Sequence, residues 1–365
     1  MNILHVTDAV DFSGGVKQVM LLMQGIAAAR PLWRQEFCCP PESPVARAFA
    51  DAGFAIFPNK MFQDYDLAAA WRLRNHIKRS GVRLVHAHHP TAHAVCLVAR
   101  YLTDFKLVVS RRVSHPLPWY PTTTFKYCNE RIDKLIGVSS AVTDLLTARG
   151  VPKDRLAVVG SSTDLDRFAP RPPDAALLRL TGLAGAETEP FVIGLVANYS
   201  PWKGHDLLLE ALASLRGDWL LVAAGRDTDS GAFLAKAAAC GVDDKVRALG
   251  WRKDVPEILS ICDLLVCPSS SGEGSSGAIR EASAMGIPVL ASDIPANTGL
   301  IDDERGWLFK NGSASELCRV ITGIISTPRP DLQRKATHAQ EFVRRNFSVE
   351  VMVSKTVAVY EELVT

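Results

Sequence analysis

Short runs of aliphatic and β-branched residues alternate with helix-period segments along the whole chain. In the first half the runs lie at 2–6 (NILHV), 36–40, 54–58, 83–88, 106–110, 134–139 and 156–160. Helix-period stretches separate most of them, for example 16–29 and 67–79. Residues 167–176 (RFAPRPPDAA) hold three prolines and mixed charge, a linker composition. The alternation then restarts, with runs at 191–197, 219–225, 246–250, 263–269, 288–292 and 306–309. Apolar runs without polar alternation, spaced by helices, predict parallel sheets covered on both faces. Two such series predict an α/β protein of two doubly wound, Rossmann-like domains, 1–168 and 169–347. Residues 348–365 predict a closing amphipathic helix. Ligands of such sheets bind beyond the carboxyl ends of the strands, so the site is expected in a cleft between the domains.

Composition narrows the function. A chain of 365 residues exceeds what one core usually fills. With 47% apolar and 22% charged residues it belongs with ordinary globular proteins. A net charge of +2, without a basic arm, does not point to nucleic acid as a partner. The eight cysteines lack zinc-ligand spacing and read as free thiols of a reducing compartment. No signal-peptide layout and no membrane-length apolar run is visible, so a cytoplasmic location is expected, with the inner face of the cytoplasmic membrane as a place of contact.

The chemistry concentrates after the run at 263–269. There Glu273 and Glu281 stand eight apart, and Gly272, Gly274 and Gly277 spell G-x-G-x-x-G. A helix is expected to begin near Ser276. Its unpaired N–H groups, with Gly274, Ser275, Ser276 and Gly277 allowing close approach, suit a phosphate. Carboxylates are repelled by phosphate, so Glu273 and Glu281 make sense facing hydroxyls. A diphosphate with hydroxyl-bearing rings at both ends, a nucleotide-diphosphate sugar, meets both demands. Lys203, just before Gly204 at the end of the run 191–197, would neutralise a departing diphosphate. An NAD-dependent oxidoreductase is the rival reading, with Asp293 as the ribose acid. Against it, the first glycine does not follow the strand directly, and Glu273 would crowd a pyrophosphate.

These motifs resemble the family-4 retaining glycosyltransferases, the group 1 glycosyl transferases of GT-B fold. The resemblance rests on Lys203 in SPWKGHDLLLEAL and on Glu273-x7-Glu281 in GEGSSGAIREASAMGIPVLAS, and more weakly on LGWRKDVPEILSICDLLVCPS, VVGSSTDLDRFAP and FSGGVKQVMLLMQGIA. It implies that Glu273 holds the donor sugar's hydroxyls, that Gly274–Gly277 bind the diphosphate with Lys203, and that Glu281 holds the ribose. Trp251 and Arg252 would flank the base, and Gly14 and Gly15 would let a loop close over the phosphates. Asn198 stands where the family often has an arginine. Arg112 occupies the slot of a family histidine, giving a catalytic set of Glu273, Lys203 and Arg112. Arg111, Arg112 and His115 would meet the acceptor.

The implied reaction transfers a sugar from a nucleotide-diphosphate sugar to a glycan or glycolipid acceptor, with retention, in envelope lipopolysaccharide or polysaccharide synthesis. No metal and no cofactor beyond the donor co-substrate is implied. An epimerase of the same fold is the alternative. The closing helix is expected to pack on the N-terminal domain. Asp227 and Asp229 in RDTD read as a solvated loop, and His86, His88, His89 and His93 as cleft or core histidines. The basic and aromatic residues of 71–83 and 116–127 offer an acceptor surface or a contact with anionic membrane.

Overall fold

A computed structural model describes residues 1–185 and 189–364. The chain divides into two compact units, Met1–Ser162 with the segment from Val349 onward, and Thr163–Ser348.

The sheet of the first unit contains β1 (Asn2–Val6), β2 (Arg34–Cys39), β3 (Ala55–Pro58), β4 (Leu84–Ala87), β5 (Lys106–Arg111), β6 (Lys134–Gly137) and β7 (Leu156–Val158). All neighbours are parallel, in the order β3-β2-β1-β4-β5-β6-β7. The second unit contains β8 (Phe191–Val196), β9 (Trp219–Ala224), β10 (Val246–Ala248), β11 (Leu264–Cys267), β12 (Val289–Ser292) and β13 (Trp307–Phe309). They run parallel in the order β10-β9-β8-β11-β12-β13. Every apolar run read from the sequence is one of these strands. The central strands are buried because helices cover both faces, which removes any need for polar alternation, while the edge strands β3, β7 and β10 stay partly exposed.

The helix Val349–Val364 lies against the helix Gly14–Ala29 of the first unit. The approach is close: a Cβ on Gly25 would come within 2.4 Å of Val353 Cγ2. Tyr360 is fully buried there with Ile3, Leu22 and Ile26.

Residues 167–176 do not form the free linker their composition suggests. Phe168 is only 1% exposed, packed with Leu259, Leu265 and Ile279 of the second unit. Thr163 N–H donates to the Phe347 carbonyl at 2.7 Å, Arg171 pairs with Glu257, and Asp174 caps the helix Ala175–Leu180. The units therefore divide at 162/163 and not after 168. The prolines disguise a segment anchored by one aromatic side chain.

The interior of the first unit is unusual in holding His5, His86, His88 and His93, none more than 2% exposed. Burial penalises the imidazolium and lowers all four pKa values, to about 3 for His5 and for His93. The unfolded chain binds protons at these groups below about pH 6.5, whereas the folded chain does not until far lower. Stability is therefore complete above pH 6.5 and falls as the pH drops toward the folded values. We expect each of His5 and His93 to contribute a loss of roughly 1.4 kcal/mol per pH unit in that window. Urea melts between pH 7 and 5 check this, and a flat stability across the window contradicts it.

Candidate active site

The site in the second unit is built on three strand ends. β8 leads into the turn Pro201–Lys203, β11 into the loop 268–276, and β12 into the short helix Pro295–Thr298. Gly204 has φ +74°, and a Cβ there would lie 2.0 Å from the Pro268 carbonyl oxygen. Only glycine permits that approach. Ser270 N–H then donates to the Trp202 carbonyl at 2.8 Å, binding the two loops together. From β12, Ser292 Oγ donates to the Ser269 carbonyl (2.5 Å), and buried Asn297 holds Ser292 by its carbonyl (3.1 Å). Asn311 Nδ2 donates to the Ser270 carbonyl at 2.9 Å.

This bracing brings the Lys203 ammonium onto the Glu273 carboxylate as an ion pair. Ser269 Oγ donates to the same carboxylate oxygen at 3.2 Å. The two side chains are 25% and 14% exposed, screened from bulk water but open to a ligand. The helix Gly277–Ala284 starts directly beyond, and its N-cap Ser276 makes no side-chain capping bond. Its first N–H groups have no intrahelical acceptor and carry the positive end of the helix dipole. Gly274 and Ser276 are buried in the loop, while Ser275, Gly277 and Glu281 are half-buried. The arrangement offers an anion seat at the helix start, a cation beside it, and a carboxylate able to grip hydroxyls.

Arg280 was missed from sequence. Its guanidinium is 97% buried beneath the loop, donates to the Ser275 carbonyl at 3.0 Å and to Ser275 Oγ, and lies 5.8 Å from the Phe347 ring. Burial lowers its pKa to about 10, opposed by Glu281 and Glu273, so it stays charged at neutral pH. The available signal was an arginine at a position of AIREASA that helical periodicity assigns to the core.

Other expected donor residues sit in the same unit with partners of their own. Asn198 Oδ1 accepts the Arg226 N–H at 3.0 Å and ties the loops after β8 and β9. Arg252 is held by Asp254 through Nε at 2.8 Å and through Nη2. Trp251 is exposed, with the Lys253 ammonium 5.7 Å from its ring. In RDTD, Asp227 and Asp229 are exposed, as expected of a solvated loop, while buried Thr228 accepts the Gly250 N–H at 3.1 Å and braces the turn. Asp293 accepts the Asn311 N–H at 2.8 Å.

The remaining predicted residues lie in the first unit. Gly14 and Gly15 are not a loop: they open the helix Gly14–Ala29, capped by Ser13. Gly15 faces His89 and Arg112 at a cavity of about 280 Å³ that His88, His93, Arg111 and Arg112 also line. Arg111 is buried, donating to Tyr127 Oη at 2.8 Å and to the His115 carbonyl at 2.6 Å. The His115 side chain is exposed and does not line that cavity; its backbone holds Arg111. His5, His86 and His88 place one ring nitrogen each within 4.8 Å of one another, a spacing a cation could use. In this structure those nitrogens are engaged otherwise: His5 Nδ1 with His88 Nε2 at 3.0 Å, and His86 with Tyr360 Oη (2.5 Å) and Ser110 Oγ (2.7 Å).

Two family models match, a glycosyl transferase 4-like domain over residues 13–161 and glycosyl transferases group 1 over residues 184–341. Together they span most of the chain, which belongs to the group 1 glycosyl transferases and is an enzyme of that class, with the GT-B fold. It is 25% identical over 314 residues to a phosphatidyl-myo-inositol mannosyltransferase of Propionibacterium freudenreichii, covering 81% of this chain and 74% of that one. It is 26% identical over 251 residues to the lipopolysaccharide core biosynthesis mannosyltransferase LpsB of Rhizobium meliloti (65% and 68% covered). Among solved structures, Anabaena HepE in complex with UDP and glucose aligns with a TM-score of 0.86 at 20% identity, covering 99% of this chain and 100% of HepE.

The Gly204 contact yields a test. Gly204→Ala leaves Lys203 and Glu273 in place but forces a Cβ onto the Pro268 carbonyl in left-handed backbone. We expect a loss of roughly 2 kcal/mol or more in denaturant melts, with transfer activity reduced in parallel. Unchanged stability and turnover would show that the loops can part without consequence.

Proposed function

We propose that the protein transfers a sugar, with retention, from a nucleotide-diphosphate sugar to an acceptor hydroxyl in envelope glycolipid, lipopolysaccharide or polysaccharide synthesis. The observation carrying this reading is the Lys203–Glu273 pair set beside the uncapped helix at Gly277. The diphosphate would rest on the N–H groups of 274–277, and Glu281 would take ribose hydroxyls. On donor arrival the Glu273 carboxylate would exchange the lysine for sugar hydroxyls, and the freed ammonium would turn to the diphosphate.

As the bond from the anomeric carbon to the diphosphate oxygen breaks, positive charge grows on the sugar and negative charge on the leaving group. Lys203 and the helix start would stabilise the latter, and Glu273 the former. The acceptor oxygen then bonds the anomeric carbon on the face the diphosphate leaves, and its proton passes to a phosphate oxygen. In this reading the protein's own cations do the work a metal ion does elsewhere. The names of the relatives favour a mannosyl donor and a lipid-linked acceptor, and HepE favours UDP-glucose as a first probe.

Contact with an anionic membrane suits the surface of the first unit. Phe62, Trp71, Tyr101, Trp119 and Tyr120 are each about half exposed or more. Lys60, Arg74, Arg131 and Arg149 stand 4.1–4.6 Å from the rings of Phe62, Trp71, Tyr101 and Trp119. Aromatic rings beside cations favour an interface with anionic headgroups. No helix among the described residues is long and apolar enough to cross a membrane.

Two measurements test the reading. A thermal-shift screen should find a nucleotide-diphosphate sugar that raises Tm. Glu273→Ala should then lower kcat by about 10²-fold or more while the fold persists; unchanged turnover removes Glu273 from the mechanism, and product from donor alone favours the epimerase. In vesicle sedimentation, binding should require anionic lipid and weaken with salt and in Trp119→Ser. Equal binding to zwitterionic vesicles rules out the electrostatic contact.

A further inference from the structure

The protons on the buried histidines of the first unit can be read from their partners. Gln35 Nε2 donates to the Met23 carbonyl at 2.9 Å, so the amide is oriented and its Oε1 is the acceptor. That Oε1 lies 3.2 Å from His5 Nε2, which therefore carries a hydrogen. His5 is fully buried, and an imidazolium there would be heavily penalised, so the ring is neutral and its Nδ1 is bare. His88 Nε2, 3.0 Å from that bare nitrogen, must donate to it. His88 is equally buried and neutral, which leaves its Nδ1 bare. That Nδ1 is buried and has no hydrogen-bond partner, and His88 lines the cavity at Gly15. His93 lines the same cavity and also has a buried, unpartnered ring nitrogen, Nε2.

A bare imidazole nitrogen accepts a hydrogen bond and cannot give one. Facing an anion it gains nothing; facing a hydroxyl it is satisfied. We propose that this cavity is a subsite for a polyhydroxylated ligand whose hydroxyl donates to His88 Nδ1, and that Gln35 and His5 are positioning residues that keep the His88 proton on Nε2. Neither Gln35 nor His5 lines the cavity; both act through His88. Naming the ligand as the sugar acceptor rests on the transferase reading, whereas the proton assignment does not. A cation shared by the three histidines would need His5 Nδ1 and His88 Nε2 both bare; Gln35 leaves His5 Nδ1 bare, so such a cation would have to replace the 3.0 Å hydrogen bond from His88 Nε2, and added zinc separates the two cases.

Long-range nitrogen–proton NMR of the full chain, labelled at histidine, tests this without turnover. His5 and His88 should both appear as Nε2–H tautomers near neutral pH, unchanged by added zinc. A proton on His88 Nδ1, or zinc displacing the proton shared by His5 and His88, overturns the assignment. Titration with myo-inositol and methyl α-mannoside should shift the His88 Nδ1 resonance, and inorganic phosphate should not. A shift with phosphate alone, or with none of the three, overturns the hydroxyl subsite.

Gln35→Met removes the acceptor facing His5. It should release the tautomer and weaken the polyol titration about tenfold, while Gln35→Glu, which keeps an acceptor, should restore the wild-type tautomer. An unaltered tautomer and affinity in a folded Gln35→Met protein would show that Gln35 only packs. Should transfer activity be absent but the polyol shifts persist, the transferase reading fails and the subsite stands.

Discussion

The site of the second unit depends on one steric fact: the backbone at Gly204 presses against the carbonyl of Pro268. Nothing larger than hydrogen fits between them. Because they touch, the turn carrying Lys203 and the loop carrying Glu273 behave as one body, closed by the Ser270–Trp202 hydrogen bond. A lysine on a free loop would spend its time in water. Here its charge is delivered to a defined point beside a helix start, ready for a phosphate.

The charge balance around that point follows from the same packing. Glu273 alone beside an anion seat would repel the ligand, but Lys203 neutralises it until hydroxyls arrive. Arg280 adds a second cation from below, out of reach of solvent and bonded to Ser275. A buried guanidinium is costly unless it is paired or hydrogen-bonded. It is tolerated here beside Glu281 and Glu273, which oppose the effect of burial on its pKa.

The first unit solves a different problem. Its buried histidines are uncharged: His5, His86 and His88 are linked to Gln35, Ser110 and Tyr360 by hydrogen bonds that make neutral imidazoles acceptable. Tyr360 arrives from the last helix, so His86 is held by a residue more than 270 positions away, beside the separate chain of Gln35, His5 and His88. Such a network assigns each ring a donor side and an acceptor side, and the cavity at Gly15 inherits that polarity.

The fold was legible because parallel strands covered on both faces must be continuously apolar, and each of the thirteen runs kept that signature. Lys203 and Glu273-x7-Glu281 were legible as residue types and spacing, and so was the helix start near Ser276, whereas the ion pair between Lys203 and Glu273 was not. Other features escaped for definite reasons. Phe168 lay among prolines, and composition does not reveal which aromatic side chain finds a pocket. Gly14 and Gly15 were expected in a loop by the family resemblance, yet Ser13 caps them into a helix. Arg111 and Arg252 looked available for ligands, but neighbours within a few residues hold both. Sequence by itself determined strand order in time, helix signals and the residue types of the site, since these follow from local periodicity and spacing. Only tertiary structure decided which charges meet, which histidine nitrogens are bare and where the units divide, because those depend on contacts between segments far apart in the chain.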